Sequence, residues 1–167
     1  MDEIRNLEKF YLEDIRNIIT ENYTYFQIKR MTLALSTYQE DTEEGFDVVL
    51  DGRVRIAVRI RKKYYFDRFR DFTIRSRSRT GALTELGKLI AGYGELYIYA
   101  WEDIHRSKIE NWMIIDIDNF RDMLMFPDKG KDIPNIGKDG NPDGTRFNGY
   151  SIEMLNRYNA ILAKNFK

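Results

Sequence analysis

One aspartate and a row of arginines carry most of the chemistry this sequence can offer. Asp47 lies in the stretch EEGFDVVLDGRVRIAVRIRKK, residues 43–63, behind the acidic residues Glu40, Asp41, Glu43 and Glu44. Past Asp51-Gly52, the odd positions are Arg53, Arg55, Ala57, Arg59 and Arg61, and the even positions are Val54, Ile56, Val58 and Ile60. A carboxylate can hold a hard divalent cation, and guanidinium forks match phosphate oxygens in pairs. The chain has one histidine, His105 in the polar connection EDIHRSK, and no cysteine. A Ser–His triad, a zinc–thiolate site, a disulfide framework and a cysteine nucleophile therefore lack their residues, and His105 reads as a surface residue.

Period-two alternation of this kind predicts strands, at 46–50 and 53–62, with one apolar face packed and one cationic face toward water or a polyanion. Register decides where Asp47 goes. A two-residue turn at Asp51-Gly52 would put it among the Ile and Val side chains. A three-residue connection, with glycine able to take positive φ, puts Val48 on the buried face and Asp47 on the arginine face. The second register satisfies both strands and is the expected one.

Charge agrees with that face. The chain balances 27 Lys and Arg against 27 Asp and Glu, yet residues 53–79 hold eleven bases, including Arg68, Arg70, Arg75, Arg77 and Arg79, against Asp67 and Asp71. Arginine-rich segregation of this kind suits a nucleic-acid backbone. Ion pairing with the acidic run at 40–44 would instead leave a solvated, neutral face. No run of about 18 apolar residues exists for a membrane span, and the N-terminus lacks the apolar core of a signal peptide, so a cytoplasmic location is expected.

The elements that must position these residues follow in order. Residues 2–22 predict an amphipathic helix through Ile4, Leu7, Tyr11, Ile15 and Ile18. Residues 23–35 suit an extended segment or a partly helical one. After the hairpin, YYFDRFR at 64–70 predicts a loop or short helical turn, with its aromatics either packed or available for base stacking. Residues 71–76 predict a third strand, and 82–91 a helix capped by Ser78 or Thr80 that buries Leu83, Leu86, Leu89 and Ile90. Strands are expected at 94–101 and 109–117, then a short helix to about Phe126. Residues 127–148 read as one long loop. Within it, Asp139 to Gly144 matches the start of a calcium loop, but Tyr150 stands where a ligating glutamate is needed, so a polar turn is the default. Ser151 caps a last helix, SIEMLNRYNAILAKN. At this length the chain reads as one domain, residues 1–167. The fold class is α/β (α+β), a central mixed sheet of about five strands with helices on both faces.

A helix, a three-strand meander, a crossover helix and a return strand, with Asp47 before Arg59-Ile60-Arg61, resemble the PD-(D/E)XK nuclease-like superfamily over residues 1–101, with 102–167 as an extension. The resemblance implies a restriction-endonuclease-like core and a Mg²⁺ or Mn²⁺ site held by Asp47, with Glu44 as the second acid and Arg61 in the lysine position to orient water or stabilise charge. Glu85 and Lys88, on the helix after the meander, stand where some members place site residues; an exposed helix pair is their ordinary reading. The departure is Arg59 where the family carries an acid, since a guanidinium repels Mg²⁺. The chain is thus expected to be a metal-dependent DNA endonuclease or a degenerate relative that binds double-stranded DNA uncut, through Arg55, Arg59, Arg61, Arg75, Arg77 and Arg79. The alternative is a non-enzymatic interaction module, such as a phage-type inhibitor or adaptor, that sets its basic surface on an acidic partner.

Overall fold

The computed structural model describes residues 10–22, 33–35, 47–50, 54–103, 105–128, 135–136 and 141–167. They form an α+β structure on a mixed sheet. Helix α1 (Leu12–Glu21) is followed by β1 (Leu33–Leu35), β2 (Val48–Leu50) and β3 (Val54–Lys62). Then come α2 (Lys63–Arg68), β4 (Asp71–Arg77), α3 (Glu85–Ile90), β5 (Leu96–Asp103) and β6 (Lys108–Asp116). Helix α4 (Ile117–Met125), β7 (Asn135–Ile136), β8 (Arg146–Ser151), α5 (Ile152–Arg157) and β9 (Ile161–Lys164) complete the chain. Six strands hydrogen-bond in the order β1-β2-β3-β5-β6-β9, and a separate three-stranded sheet runs β4-β8-β7. Strands β3 and β5 are parallel, joined over α3, and the other pairs are antiparallel.

The hairpin has the expected register. Val48 pairs with Ile56 and Leu50 with Val54, which leaves residues 51–53 as a three-residue connection. Val48 is fully buried on the same face as Ile56, Val58, Ile98 and Ile114, covered by Ile15, Ile18 and Ile19 of α1. The residues before Phe10, Ile4 and Leu7 among them, lie outside the described part.

The opposite face differs from expectation. It does not look onto water, because the neighbouring strand β5 presents Tyr97, Tyr99 and Trp101 there, all at most 3% exposed. Rings of that size need a cover. Phe66 of α2, Phe72 and Ile74 of β4, Leu89 of α3, Phe120 and Met123 of α4 and Tyr150 of β8 supply it. Phe72 packs edge-on against Tyr97, Tyr99 and Phe120, with ring centroids 5.1, 5.2 and 5.3 Å away. The arginines of β3 thus lie under and beside a second layer.

Several boundaries also differ. Strand β4 exists but is not the third strand of the meander; β1 takes that place on the far side of β2, and β5 takes the edge beside β3. Helix α2 steps the chain out of the sheet plane, so β4 lands in the covering layer. Helix α3 starts later than expected: Thr84 caps it through a hydrogen bond from Gly87 N–H at 3.1 Å, and Leu83 and Ile90 stay exposed. Asp116 caps α4 by accepting the Asn119 N–H at 3.0 Å. Part of the long 127–148 loop is sheet, namely β7 and the start of β8. Ser151 caps α5 as expected, but Asn159 at φ 53° turns the chain, and residues 161–164 pair with β6 as a strand. No helix among the described residues is long and apolar enough to cross a membrane.

Candidate nucleic-acid interface

Asp47 faces the covered side of the hairpin, as the register requires. Its Oδ2 accepts the Val58 N–H at 2.5 Å while its own N–H donates to Ile56 O at 3.0 Å. The carboxylate is thereby fastened to β3 by main-chain groups. Glu44 lies outside the described residues.

Arg59 is not a free phosphate contact. Its Nη1 lies 2.5 Å from Glu85 Oε2, with side-chain exposures of 19% and 34%. Burial alone would lower the Arg59 pKa; Glu85 outweighs it, helped by Tyr97 and Tyr99, and holds the guanidinium above its ordinary value. Tyr97 titrates well above the usual phenol range, first because it is buried and then because of the Glu85 charge, against the opposing pull of Arg59; Asp47 adds to the rise. Asp47, Glu85, Tyr97 and Arg59 thus form one electrostatic cluster between the layers. Glu85 also accepts the Arg75 main-chain N–H at 3.3 Å, so the α3 carboxylate links β3 to β4. The exposed-helix reading of Glu85 is corrected accordingly.

Arg55 is likewise engaged. Its Nη2 donates to Glu95 Oε1 at 2.8 Å, and its main-chain N–H to Glu95 Oε2 at 2.6 Å, at the start of the parallel pair. Arg61 lies beside the second layer, with Nη1 3.2 Å from Tyr99 Oη and its guanidinium carbon 4.2 Å from the Tyr65 ring centroid.

The small sheet carries a different set. Arg75 pairs with Phe147, and Arg77 with Arg146, across β4 and β8. The guanidiniums of Arg59 and Arg75 lie 5.2 and 5.8 Å from the Phe147 ring centroid. Among the described residues Arg75, Arg77, Arg79 and Arg146 make no ion pair. The Nε atoms of Arg75 and Arg146 are buried and find no hydrogen-bond partner among the described residues. Asp143 stands in the adjoining turn, where Asn141 N–H donates to Thr145 O at 2.8 Å and Thr145 N–H to Asp143 Oδ1 at 3.0 Å. The Thr145 main-chain and hydroxyl hydrogen bonds, and to a smaller extent Arg75, hold the Asp143 carboxyl below its ordinary range. This stretch is therefore a polar turn.

Could the described residues hold Mg²⁺? Asp47 is bound to a main-chain N–H, and Glu85 is bound to a guanidinium. Among the described residues no group of three or more His, Asp or Glu side chains converges on a metal position. Glu85 cannot join Asp47 as a Mg²⁺ ligand while Arg59 neutralises it, and Glu44, the expected second acid, lies outside the described residues.

The structure thus gathers Asp47, Arg59, Glu85 and Arg75, sets Arg61 beside them, ties Arg55 to the start of β5, and places the exposed Arg77 and Arg79 at and beyond the end of β4. Sequence reasoning missed Tyr97, Arg146 and Phe147. Alternation in LYIYAW and in RFNGYS was the available signal. No known family model matches this chain, and neither does a curated protein or a solved structure.

Proposed function

We propose that the chain is a nucleic-acid-binding protein on a PD-(D/E)XK-like core, one that grips phosphate without hydrolysing it. The meander, the crossover helix and the parallel return strand support the core. The reading rests on one observation, the arginines of the small sheet. Two like charges stand opposite each other at Arg77 and Arg146, an arrangement that destabilises a sheet unless an anion bridges it. Two buried guanidinium N–H groups beside them have no acceptor, and an unsatisfied buried donor costs about 1–3 kcal/mol. Phosphate oxygens would offset the Arg77–Arg146 repulsion, and arginine binds them through paired hydrogen bonds. Arg61, Arg77 and Arg79 extend the cationic surface.

Fluorescence polarisation with labelled DNA and RNA tests this reading. Binding should weaken steeply between about 50 and 200 mM salt, as counterion release requires. Arg75→Ala and Arg146→Ala should each weaken it. The labelled strands should stay intact with Mg²⁺ or Mn²⁺; cleavage that Asp47→Ala abolishes would overturn the non-hydrolytic part. Absence of binding at low salt would discard the nucleic-acid reading in favour of an acidic protein partner.

A further inference from the structure

Helix α2 and its capping residue bury one aromatic ring and expose three. Phe66 is 7% exposed and packs edge-on against Trp101 at 5.0 Å, so it anchors the helix. Tyr64, Tyr65 and the capping residue Phe69 are 57%, 38% and 50% exposed. Single exposed rings are ordinary. Three on one short helix, threaded by cations, are not explained by packing. Arg61 lies over Tyr65, and Tyr65 stacks on Phe69 at 6.5 Å with planes 23° apart. The Arg68 guanidinium lies 5.8 Å from the Tyr64 ring centroid and 5.3 Å from that of Phe69, and it donates to the Tyr64 hydroxyl. Neither Arg61 nor Arg68 makes an ion pair among the described residues.

We propose that this ledge stacks unpaired bases, so that the ligand is single-stranded nucleic acid rather than an intact duplex. The inference rests on the nucleic-acid reading above and specifies its substrate class. Aromatic faces next to guanidiniums match a ligand that offers π-faces and phosphates together. In a duplex the base faces are already stacked on one another, and only edges and backbone remain. A protein partner with acidic side chains would use the cations but leave the ring faces without a counterpart. On this proposal the ligand is a strand with accessible bases, where the nuclease resemblance implies a duplex. Arg61 links the ledge to the hairpin, and Tyr99, which it contacts, also accepts the Thr73 main-chain N–H at 3.4 Å, so the ledge adjoins β4 and its unpaired arginines.

Fluorescence polarisation with three labelled probes decides the matter: an oligothymidine strand, a fully paired hairpin, and an abasic strand of equal charge. Each is titrated with wild type, with Tyr64→Ala/Phe69→Ala, and with the ring-preserving Tyr64→Phe/Phe69→Tyr. Both sites are exposed, and thermal melts confirm that the variants fold. Wild type should favour the oligothymidine over both other probes by about tenfold. The alanine pair should bind it between ~5- and ~100-fold more weakly, as expected for one stacked base or more. The salt slope should not change, because no cation is removed. The ring-preserving pair should keep wild-type affinity. If the alanine pair binds oligothymidine as tightly as wild type, or wild type binds the abasic strand equally well, the ledge is not a stacking site and the nucleic-acid reading survives. If no probe binds at low salt, both readings fall.

Discussion

Arg59 and Arg75 lie over the same Phe147 ring, yet the fold treats them in opposite ways. Arg59 projects from the central sheet and ends on Glu85 in a part-buried ion pair. Arg75 projects from the covering sheet, sends its main-chain N–H to that same carboxylate and leaves Nε buried with no acceptor. One carboxylate thus serves two strands but neutralises only one guanidinium. On the proposed function, the difference separates a structural arginine from a binding one. Charge that the fold cancels holds layers together, and charge that it leaves uncancelled is available to an outside anion.

Three single substitutions and one double break or sharpen this contrast. The largest effect should come from Phe72→Ala, which removes the ring that fastens the small sheet onto Tyr97, Tyr99 and Phe120. Denaturant unfolding should show a loss of about 3–5 kcal/mol, and both arginine sets should lose their geometry together. Next, Arg59→Ala leaves Glu85 and Tyr97 without their counter-charge. Removing one partner of a fully buried pair costs about 3–5 kcal/mol; with Glu85 a third exposed, a loss of about 2 kcal/mol is expected. Arg59→Met with Glu85→Leu should regain most of that loss. Smallest in stability is Arg146→Ala, which removes a buried unsatisfied donor and relieves Arg77. Its unfolding free energy should fall within about 0.5 kcal/mol of wild type or slightly above it, while nucleic-acid affinity drops. A large destabilisation by Arg146→Ala would make it a structural arginine after all and erase the contrast.

The hairpin was legible in the sequence because alternation and a glycine-containing connection over-determine its register; a one-residue slip would bury Asp47 among Ile15, Ile56 and Val58 and turn Val48 to the opposite face. What covers the arginine face was not legible, because alternation gives the same pattern whether a polar face meets water or a second layer. The rings of LYIYAW implied a cover, but only the tertiary fold brings β4 and β8 there. Strand β4 read correctly as a strand and incorrectly as part of the meander, since DFTIRS has no feature that names its partner strand. Glu85 read as an ordinary helix acid because its partner Arg59 is 26 residues away and on another layer. Arg146 was not picked out as a binding residue, in a stretch whose Gly, Asp, Asn and Pro content suggested only loop. Residues 161–164 fitted the apolar spacing of the last helix equally well, until Asn159 in a left-handed conformation ended it.

The most direct test is the salt dependence of single-strand binding for wild type and for Arg75→Ala/Arg77→Ala/Arg146→Ala. If these three guanidiniums each neutralise a phosphate, log affinity against log salt should be shallower in the triple variant by about 2, at roughly 0.7 per phosphate on a single strand. Equal slopes, with Arg59→Ala instead flattening the line, would mean that the paired arginine is the one that binds and that the unpaired ones are incidental.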